Sequence, residues 1–382
     1  MSAHTAPAPL QGEAFSSTLI DWQKQAGRQH LPWQYTGDAY KVWLSEIMLQ
    51  QTQVSTVLNY YARFLAAFPT VADLAAAPSE AVMGLWAGLG YYSRARNLHA
   101  CAKAVVERFG GQFPQDVEAL ASLPGIGRST AGAIASLAYG VQAPILDGNV
   151  KRVFCRYYGM EGDPMSTPMV KQLWEVAERN VPRVEPGRYN QALMDLGATR
   201  CTPRKAHCAA CPLMSTCVAL RQGRVELLPS PKVKKPRPAL YFLAVWVVDA
   251  RGYVWLQQQT ARGLWKDLWM APCIGIACDS DSGSWREPVN AVLNVGELQF
   301  NADAVNSALS AAAAQPWLVH ELTHRKMHFK TVVLRSNETL NLCKDAGALP
   351  LPKVVHKLSQ AAVAQQNALD FGEGLALKEF GQ

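Results

Sequence analysis

The chain has 382 residues, too many for one average domain, so two domains are expected. Hydrophobic residues make up 49% and charged residues 18%, a balance that supports compact cores and argues against a disordered chain. A net charge of +7 leans toward polyanionic partners, although many proteins that bind no nucleic acid share it. No apolar run reaches the ~18 residues of a membrane-spanning helix. The nine cysteines are odd in number and unevenly placed, four of them between Cys201 and Cys217. That pattern argues against a secreted disulfide framework and for an intracellular, reducing compartment.

Residues 1–14 are rich in Ala, Pro and small polar residues and lack the continuous apolar stretch of a secretory signal, so a disordered tail is expected there. From 15 to 228 the pattern is helical. Apolar residues recur three and four positions apart, as at Val42, Trp43, Ile47 and Leu49, and again across residues 85–106. Asp38, Pro78-Ser79, Pro114 and Pro168 each open a new segment, which gives roughly ten short helices.

Glu46 stands in the first of these runs. On a helix its neighbours three and four positions away are Val42, Trp43, Leu49 and Gln50, three of them apolar. Desolvation on such a face raises a carboxyl pKa and keeps the group protonated near neutral pH, as a general acid requires. The structural alternative is a partly exposed carboxylate paired with Lys or Arg. The catalytic reading needs a second carboxylate facing it.

Leu123-Pro-Gly-Ile-Gly-Arg-Ser-Thr-Ala-Gly132 lies between two helical stretches. Gly125 and Gly127 permit a tight turn whose backbone N–H groups can approach a phosphate, and a helix beginning near Arg128 adds its N-terminal dipole. An ordinary helix–helix connection carries the same glycines. Downstream, in Pro144-Ile-Leu-Asp-Gly-Asn-Val-Lys-Arg-Val153, Asp147 is placed to cap the helix that runs through Tyr157. A cap fixes the side-chain rotamer, which also suits a carboxylate that must stabilise a cation.

The spacing Cys201-x6-Cys208-x2-Cys211-x5-Cys217 can converge four thiolates on one metal centre. Pro203 and Pro212 hold the segment to turns and very short helices. Spacing leaves the metal open: a structural zinc with His207 as a possible ligand, or an iron–sulfur cluster. Zinc ribbons usually repeat the Cys-x2-Cys knuckle, which occurs here once.

Pro229-Ser-Pro-Lys-Val-Lys-Lys-Pro-Arg-Pro238 has four prolines, four basic residues and no acid, and reads as an interdomain linker whose charges could follow a phosphate backbone. Beyond it, Tyr241-Phe-Leu-Ala-Val-Trp-Val-Val248 and Tyr253-Val-Trp-Leu-Gln257 are β-rich runs joined by a hairpin signal at Asp249-Ala-Arg-Gly252. Strand-like residues 327–334 and a helix over 354–363 complete an α+β domain spanning 239–370, with a tail over 371–382.

Together these segments resemble the helix–hairpin–helix DNA glycosylases of the endonuclease III class, and within it the adenine glycosylases of the MutY type. The likeness rests on Leu31-Pro-Trp33, Val42-Trp-Leu-Ser-Glu-Ile-Met-Leu-Gln-Gln-Thr-Gln-Val54, Gly88-Leu-Gly-Tyr-Tyr-Ser-Arg94, Gly127-Arg-Ser-Thr-Ala-Gly132, the stretch around Asp147 and Asn190-Gln-Ala-Leu-Met-Asp-Leu-Gly197. It covers residues 15–228 densely. It implies a two-layer helical fold with the active site between lobes, a [4Fe–4S] cluster on Cys201, Cys208, Cys211 and Cys217, and removal of adenine opposite 8-oxoguanine or guanine in double-stranded DNA.

By that resemblance Glu46 matches the glutamate that protonates adenine at N7. Asp147 matches the aspartate that stabilises the oxocarbenium-like sugar, electrostatically or by a transient bond. Asn149 matches a residue beside that aspartate. Ser129 stands where the related glycosylase–lyases carry a Schiff-base lysine, so strand cleavage is expected to be weak or absent. Leu49, Gln51 and Tyr91 match residues that fill or wedge the stack when a base flips out. Trp33 and Gln191 match residues near the adenine pocket, while Gly125, Gly127 and Arg128 belong to the DNA-contacting hairpin. Arg200, Arg204 and Lys205, beside the cysteines, are candidate phosphate contacts.

Residues 239–370 resemble the MutT-like (Nudix-like) C-terminal domain with which these enzymes sense 8-oxoguanine, through Gly263-Leu-Trp-Lys-Asp-Leu-Trp269 and Met270-Ala-Pro272. The carboxylate-rich pyrophosphatase box is not present, so no Mg²⁺ site and no nucleotide hydrolysis are expected. Leu322-Thr323-His324 stands where the family's recognition loop has Phe-Ser-His; threonine keeps the hydroxyl and adds a methyl group. A lyase-active glycosylase for oxidised pyrimidines is a rival that Ser129 argues against. A cluster-bearing protein that only marks lesions is another, and it would need neither Glu46 nor Asp147. The expectation is a monomeric enzyme acting on DNA, with no membrane association.

Overall fold

Helix starts follow local chemistry in the first half of the chain. The helices are α1 (Gly12–Ala26), α2 (Ala39–Leu49), α3 (Val54–Ala67), α4 (Val71–Ala76), α5 (Ser79–Trp86), α6 (Ser93–Phe109), α7 (Val117–Ala121), α8 (Arg128–Tyr139), α9 (Gly148–Tyr158), α10 (Thr167–Asn180), α11 (Pro186–Thr199) and α12 (Val218–Arg221). Asp38 caps α2 by accepting from the Tyr40 N–H at 2.9 Å, and Thr70 and Asp73 form a capping box on α4. Asp116, two residues after Pro114, caps α7 through the Ala119 N–H at 2.8 Å. Among the described residues twelve helices stand where roughly ten are expected, and α4, α7 and α12 are one or two turns long and too short to show a 3.6-residue period.

This computed structural model describes residues 7–230, 236–261, 263, 265–278, 281–322, 325–346 and 349–368. The expected disordered tail does not reach residue 14: α1 already begins at Gly12, and the Leu10 and Gly12 N–H groups donate to Tyr157 Oη (2.7 Å) and Asn180 Oδ1 (2.8 Å), while residues 1–6 lie outside the described residues. Residues 371–382 lie outside the described residues. The chain divides into two compact units, Met1–Ala77 with Arg96–Lys234, and Pro78–Ala95 with Lys235–Gln382. Among the described residues no helix is long and apolar enough to cross a membrane.

In the first unit, Phe15 and Leu19 of α1, Val150 and Phe154 of α9, Leu173 of α10, and Tyr189 and Leu193 of α11 build one buried core. Helix α11 lies against α1, α8 and α9, and α2 lies against α8. The α7–α8 connection turns at Gly125, whose φ of +76° favours glycine and whose side would meet Asn97 Cβ at 2.7 Å if a Cβ were present. Leu123 and Ile126 bury themselves beneath this hairpin, while Gly125, Gly127 and Arg128 stay exposed. Helix α11 approaches α9 at Gly197, where a Cβ would stand 2.7 Å from Asn149 Cβ.

The second unit holds a mixed sheet. Its strands are β1 (Ala239–Val248), β2 (Val254–Trp255), β3 (Gln257–Gln258), β4 (Trp269–Met270), β5 (Cys273–Ile276), β6 (Leu318–Glu321), β7 (Lys326–Arg335) and β8 (Cys343–Lys344). The main sheet runs β6-β7-β1-β2-β8, with β5 also on β1, and β3 pairs with β4 separately. Strands β1 and β7 are parallel over ten residue pairs, Ala239↔Lys326 to Val248↔Arg335, and the other pairs are antiparallel.

Alternation on β1 sends Leu243, Val245 and Val247 toward helices α13 (Arg286–Val295) and α14 (Ala302–Ala314). It sends Ala244, Trp246 and Val248 toward helix α15 (Lys353–Ala368). Both faces are covered, which is why β1 reads as a continuous apolar run.

Candidate active site

Helix α2 presents Glu46 to a cavity of about 370 Å³ within the first unit, lined also by Trp33, Ser45, Ser136, Arg188 and Gln191. Glu46 keeps a partly exposed face toward this space, but its carboxyl is enclosed by protein. Burial first, and then repulsion from Asp147, lift its pKa from 4.5 to about 7. The apolar neighbours of the sequence therefore produce the desolvation they imply, and the second carboxylate is Asp147.

Asp147 is the N-cap of α9 and accepts from the Val150 N–H at 2.8 Å. Burial raises its pKa. The N–H groups of Val150 and Asn149, and then Arg152 and Lys151, pull in the opposite direction. Donors and cations thus gather on the Asp147 side of the pair, while burial and the Asp147 charge are what act on Glu46. The first negative charge of the pair belongs on Asp147 and the retained proton on Glu46.

The backbone leading into Asp147 is held from α8. Ser129 Oγ accepts from the Leu146 N–H at 2.9 Å, so the serine positions the residue before the aspartate. Asn149 Oδ1 accepts from Arg152 Nη2 at 2.9 Å, and the same guanidinium donates to the carbonyls of Gly197 (2.7 Å) and Cys201 (2.8 Å). One turn on, Arg156 donates to the carbonyls of Leu228 (2.7 Å), Thr202 (2.7 Å) and Pro203 (3.3 Å). Helix α9 therefore begins at the candidate carboxylate and ends as the support of the cysteine loop.

All four loop cysteines are free thiols of intermediate exposure. Short 3₁₀ turns at Cys208–Ala210 and Met214–Thr216 replace longer helix, as Pro203 and Pro212 require. Burial pushes the Cys211 thiol up to about 12, with repulsion from Cys201, Cys217 and Cys208 adding to it. Burial and neighbouring thiolates raise Cys208 and Cys217 as well. Without a cationic centre these sulfurs favour the thiol form, and an all-cysteine donor set at this spacing suits iron–sulfur chemistry. Among the described residues no group of three or more His, Cys, Asp or Glu side chains is arranged to hold a single metal ion.

The structure brings Trp33, Glu46 and Gln191 to one cavity, and Asp147 stands close enough to Glu46 to repel it. The Trp33 ring packs edge-on against Tyr61 at 5.2 Å. Leu49 ends α2, and Gln51 follows it with a φ of +58°. Tyr91, in the second unit, also has a positive φ, +49°, and is 41% exposed. A left-handed backbone at bulky non-glycine residues stores strain and often marks functional turns. Arg128 is ion-paired with Glu178 and lies 3.9 Å over the Trp174 ring. Arg204 and Lys205 are exposed and Arg200 is half-buried. Thr323 and His324 lie outside the described residues.

Sequence reasoning missed Arg28, Asp195, Arg152 and Arg156 as parts of the site's support. The available signal was charge inside apolar helices: Arg152 and Arg156 sit among Val150, Val153, Phe154 and Tyr157, and Asp195 sits between Met194 and Leu196.

Residues 44–179 match the family described as HhH-GPD superfamily base excision DNA repair protein. The helical fold and its hairpin thus define a base excision repair glycosylase. An adenine DNA glycosylase of Buchnera aphidicola subsp. Acyrthosiphon pisum is 34% identical over 323 residues, covering 84% of this chain and 86% of its own length. The adenine DNA glycosylase of Homo sapiens is 48% identical over 224 residues, 56% of this chain and 41% of its own length. A solved structure of a thermostable thymine-DNA glycosylase matches with a TM-score of 0.50 at 31% identity, over 55% of this chain and 96% of that one. The chain belongs to the adenine DNA glycosylase family and is an enzyme that hydrolyses N-glycosyl bonds in base excision DNA repair.

Proposed function

We propose that this enzyme releases adenine mispaired with 8-oxoguanine or guanine in double-stranded DNA, with Glu46 as general acid and Asp147 as the stabiliser of the sugar cation. The carboxyl pair carries this reading: one member is desolvated to about pH 7, and the other is dressed by N–H donors and cations. The Glu46 proton passes to N7 of the flipped base, the C1′–N9 bond breaks, and its electron pair leaves with adenine. The Asp147 carboxylate faces the positive charge that develops on the sugar. Water then adds to C1′, and its proton passes to the Glu46 carboxylate. Ser129 offers no amine for a Schiff base and instead fixes the backbone before Asp147, so the reaction is hydrolysis without strand cleavage. Asn149 holds the first turn behind the aspartate through Arg152.

Residues 15–228 form the glycosylase domain, 229–238 the linker and 239–370 a MutT-like domain that reads the base opposite the adenine, Thr323 and His324 being its proposed contacts. Leu49, Gln51 and Tyr91 serve the opened stack. The hairpin at Gly125, Gly127 and Arg128 holds the phosphate backbone, and Arg200, Arg204 and Lys205 add further phosphate contacts. Cys201, Cys208, Cys211 and Cys217 hold a [4Fe–4S] cluster, which when bound supplies countercharge to the thiolates and ties the loop together. The enzyme works as a monomer. Base release from duplexes holding A opposite 8-oxoguanine, with A·T as control, tests the reading; rapid release from the first alone is expected. Equal and negligible release from both would overturn it.

A further inference from the structure

Gln191 lines the cavity beside Glu46, and nothing in the proton transfer above uses its carboxamide. Four residues on along α11, and therefore on the same helical face, stands Asp195, which is 0% exposed. The Asp195 carboxylate accepts from the Arg28 backbone N–H at 2.9 Å and from Arg28 Nε at 2.7 Å, and Arg28 Nη2 completes the ion pair at 2.7 Å. It also accepts from Gln191 Nε2 at 2.9 Å.

A carboxylate has no hydrogen to give, and every group that meets this one, the Arg28 backbone N–H, the Arg28 guanidinium and the Gln191 amide, approaches it as a donor. Gln191 must therefore turn its NH₂ toward Asp195. Its Oε1, the only acceptor of the amide, is then turned away from the acid and left for the cavity. The terminal torsion of a glutamine is soft, and without the acid the amide could turn over and offer NH₂ instead.

We propose that Asp195, held by Arg28, is a positioning residue that locks Gln191 with its carbonyl oxygen toward the cavity. The cavity then accepts a base carrying an amino group at C6 and rejects one carrying a carbonyl there. This role rests on reading the cavity as the pocket of the flipped base. An amino group donates to Oε1. A C6 carbonyl would set two acceptors against each other in a desolvated space, where an unmade hydrogen bond is costly.

The experiment is single-turnover base release from two duplexes that differ only in the excised base, adenine or hypoxanthine, each opposite 8-oxoguanine. The parent enzyme releases adenine much faster. In Asp195→Asn the adenine-to-hypoxanthine ratio falls about tenfold, one hydrogen bond's worth of discrimination. Gln191→Leu lowers the ratio similarly, and adding Asp195→Asn to it changes the ratio no further, because the acid acts only through the amide. Arg28→Lys keeps a cation but loses the fork, and lowers the ratio in the same direction should Asp195→Asn not fold. A parental ratio in whichever of Asp195→Asn and Arg28→Lys folds overturns the proposal, including the case where both bases slow equally, as a merely structural residue would cause. A parent enzyme that releases no adenine overturns the reading of the pocket instead.

Discussion

The two units bury polar side chains in different ways. In the helical unit Arg152, Arg156, Asn190, Gln191 and Asp195 are all under 10% exposed. Several of their partners are distant in sequence: Asp195 meets Arg28 across 167 residues, and Arg156 meets Leu228 across 72. In the sheet unit Asp249 and Lys330 close elements beside them, although Asp249 also accepts from the Leu340 N–H at 3.3 Å across 91 residues. Asp249 accepts from the N–H groups of Arg251 (2.9 Å) and Tyr253 (3.0 Å) in its own hairpin. Lys330 Nζ donates to the carbonyls of Ala313 (2.9 Å) and Gln315 at the end of α14. Local closure finishes a scaffold, while long-range closure fixes one element against another and so fixes a site. The proposed chemistry lies in the first unit, where closure of the second kind is found.

The largest test of this contrast is Glu46→Gln. Single-turnover release of adenine should fall by about 10³-fold, within the range of a lost general acid, with no loss of melting temperature. Phe329→Ala is its counterpart in the sheet core, where Phe329 is fully buried. Calorimetry should show that unit losing about 3–5 kcal/mol, while the rate of the chemical step below the transition stays at the parental value. A slow chemical step in Phe329→Ala would break the division of labour.

Next in size is Arg156→Met, which leaves two carbonyls of the cysteine loop, Thr202 and Pro203, and that of Leu228 without their donor. Unfolding free energy should fall by roughly 3 kcal/mol, and iron bound per chain should fall with it. The smallest effect concerns pH. The Glu46 pKa is raised on folding from 4.5 to about 7, so the folded state holds its proton more tightly than the unfolded state. Stability from this group is complete below 4.5 and is lost as pH rises through 7, by at most about 3 kcal/mol. The parent's melting temperature should therefore fall between pH 5 and 8 relative to that of Glu46→Gln, and adenine release should slow above pH 7.

Much of the helical unit was legible because its signals are local. The caps at Asp38 and Asp147, the glycines of the hairpin and the apolar flanks of Glu46 each act within four residues. The sheet unit was half legible. The alternating runs mark β1 and β7, but their parallel pairing spans 87 residues, Ala239 to Lys326, and no local pattern encodes it. Helices α13 and α14 went unseen: Pro288 in the first turn of α13 reads as a break, and α14 is so rich in alanine that its apolar stripe is faint. In the site, Glu46 and Asp147 were readable as candidates, while Arg28 and Asp195 look like ordinary charges until the fold joins them.

The bare contact at Gly197 bears on how the enzyme responds to heat. There the bare backbone of α11 meets the Asn149 side chain of α9 with no room for an added methyl group, so the joint is close-packed. A joint of that kind is expected to hold Asn149, and Asp147 two residues before it, until the helices part. Warming should speed excision smoothly up to the onset of melting and then abolish it, with no span of temperature in which the enzyme is intact but sluggish.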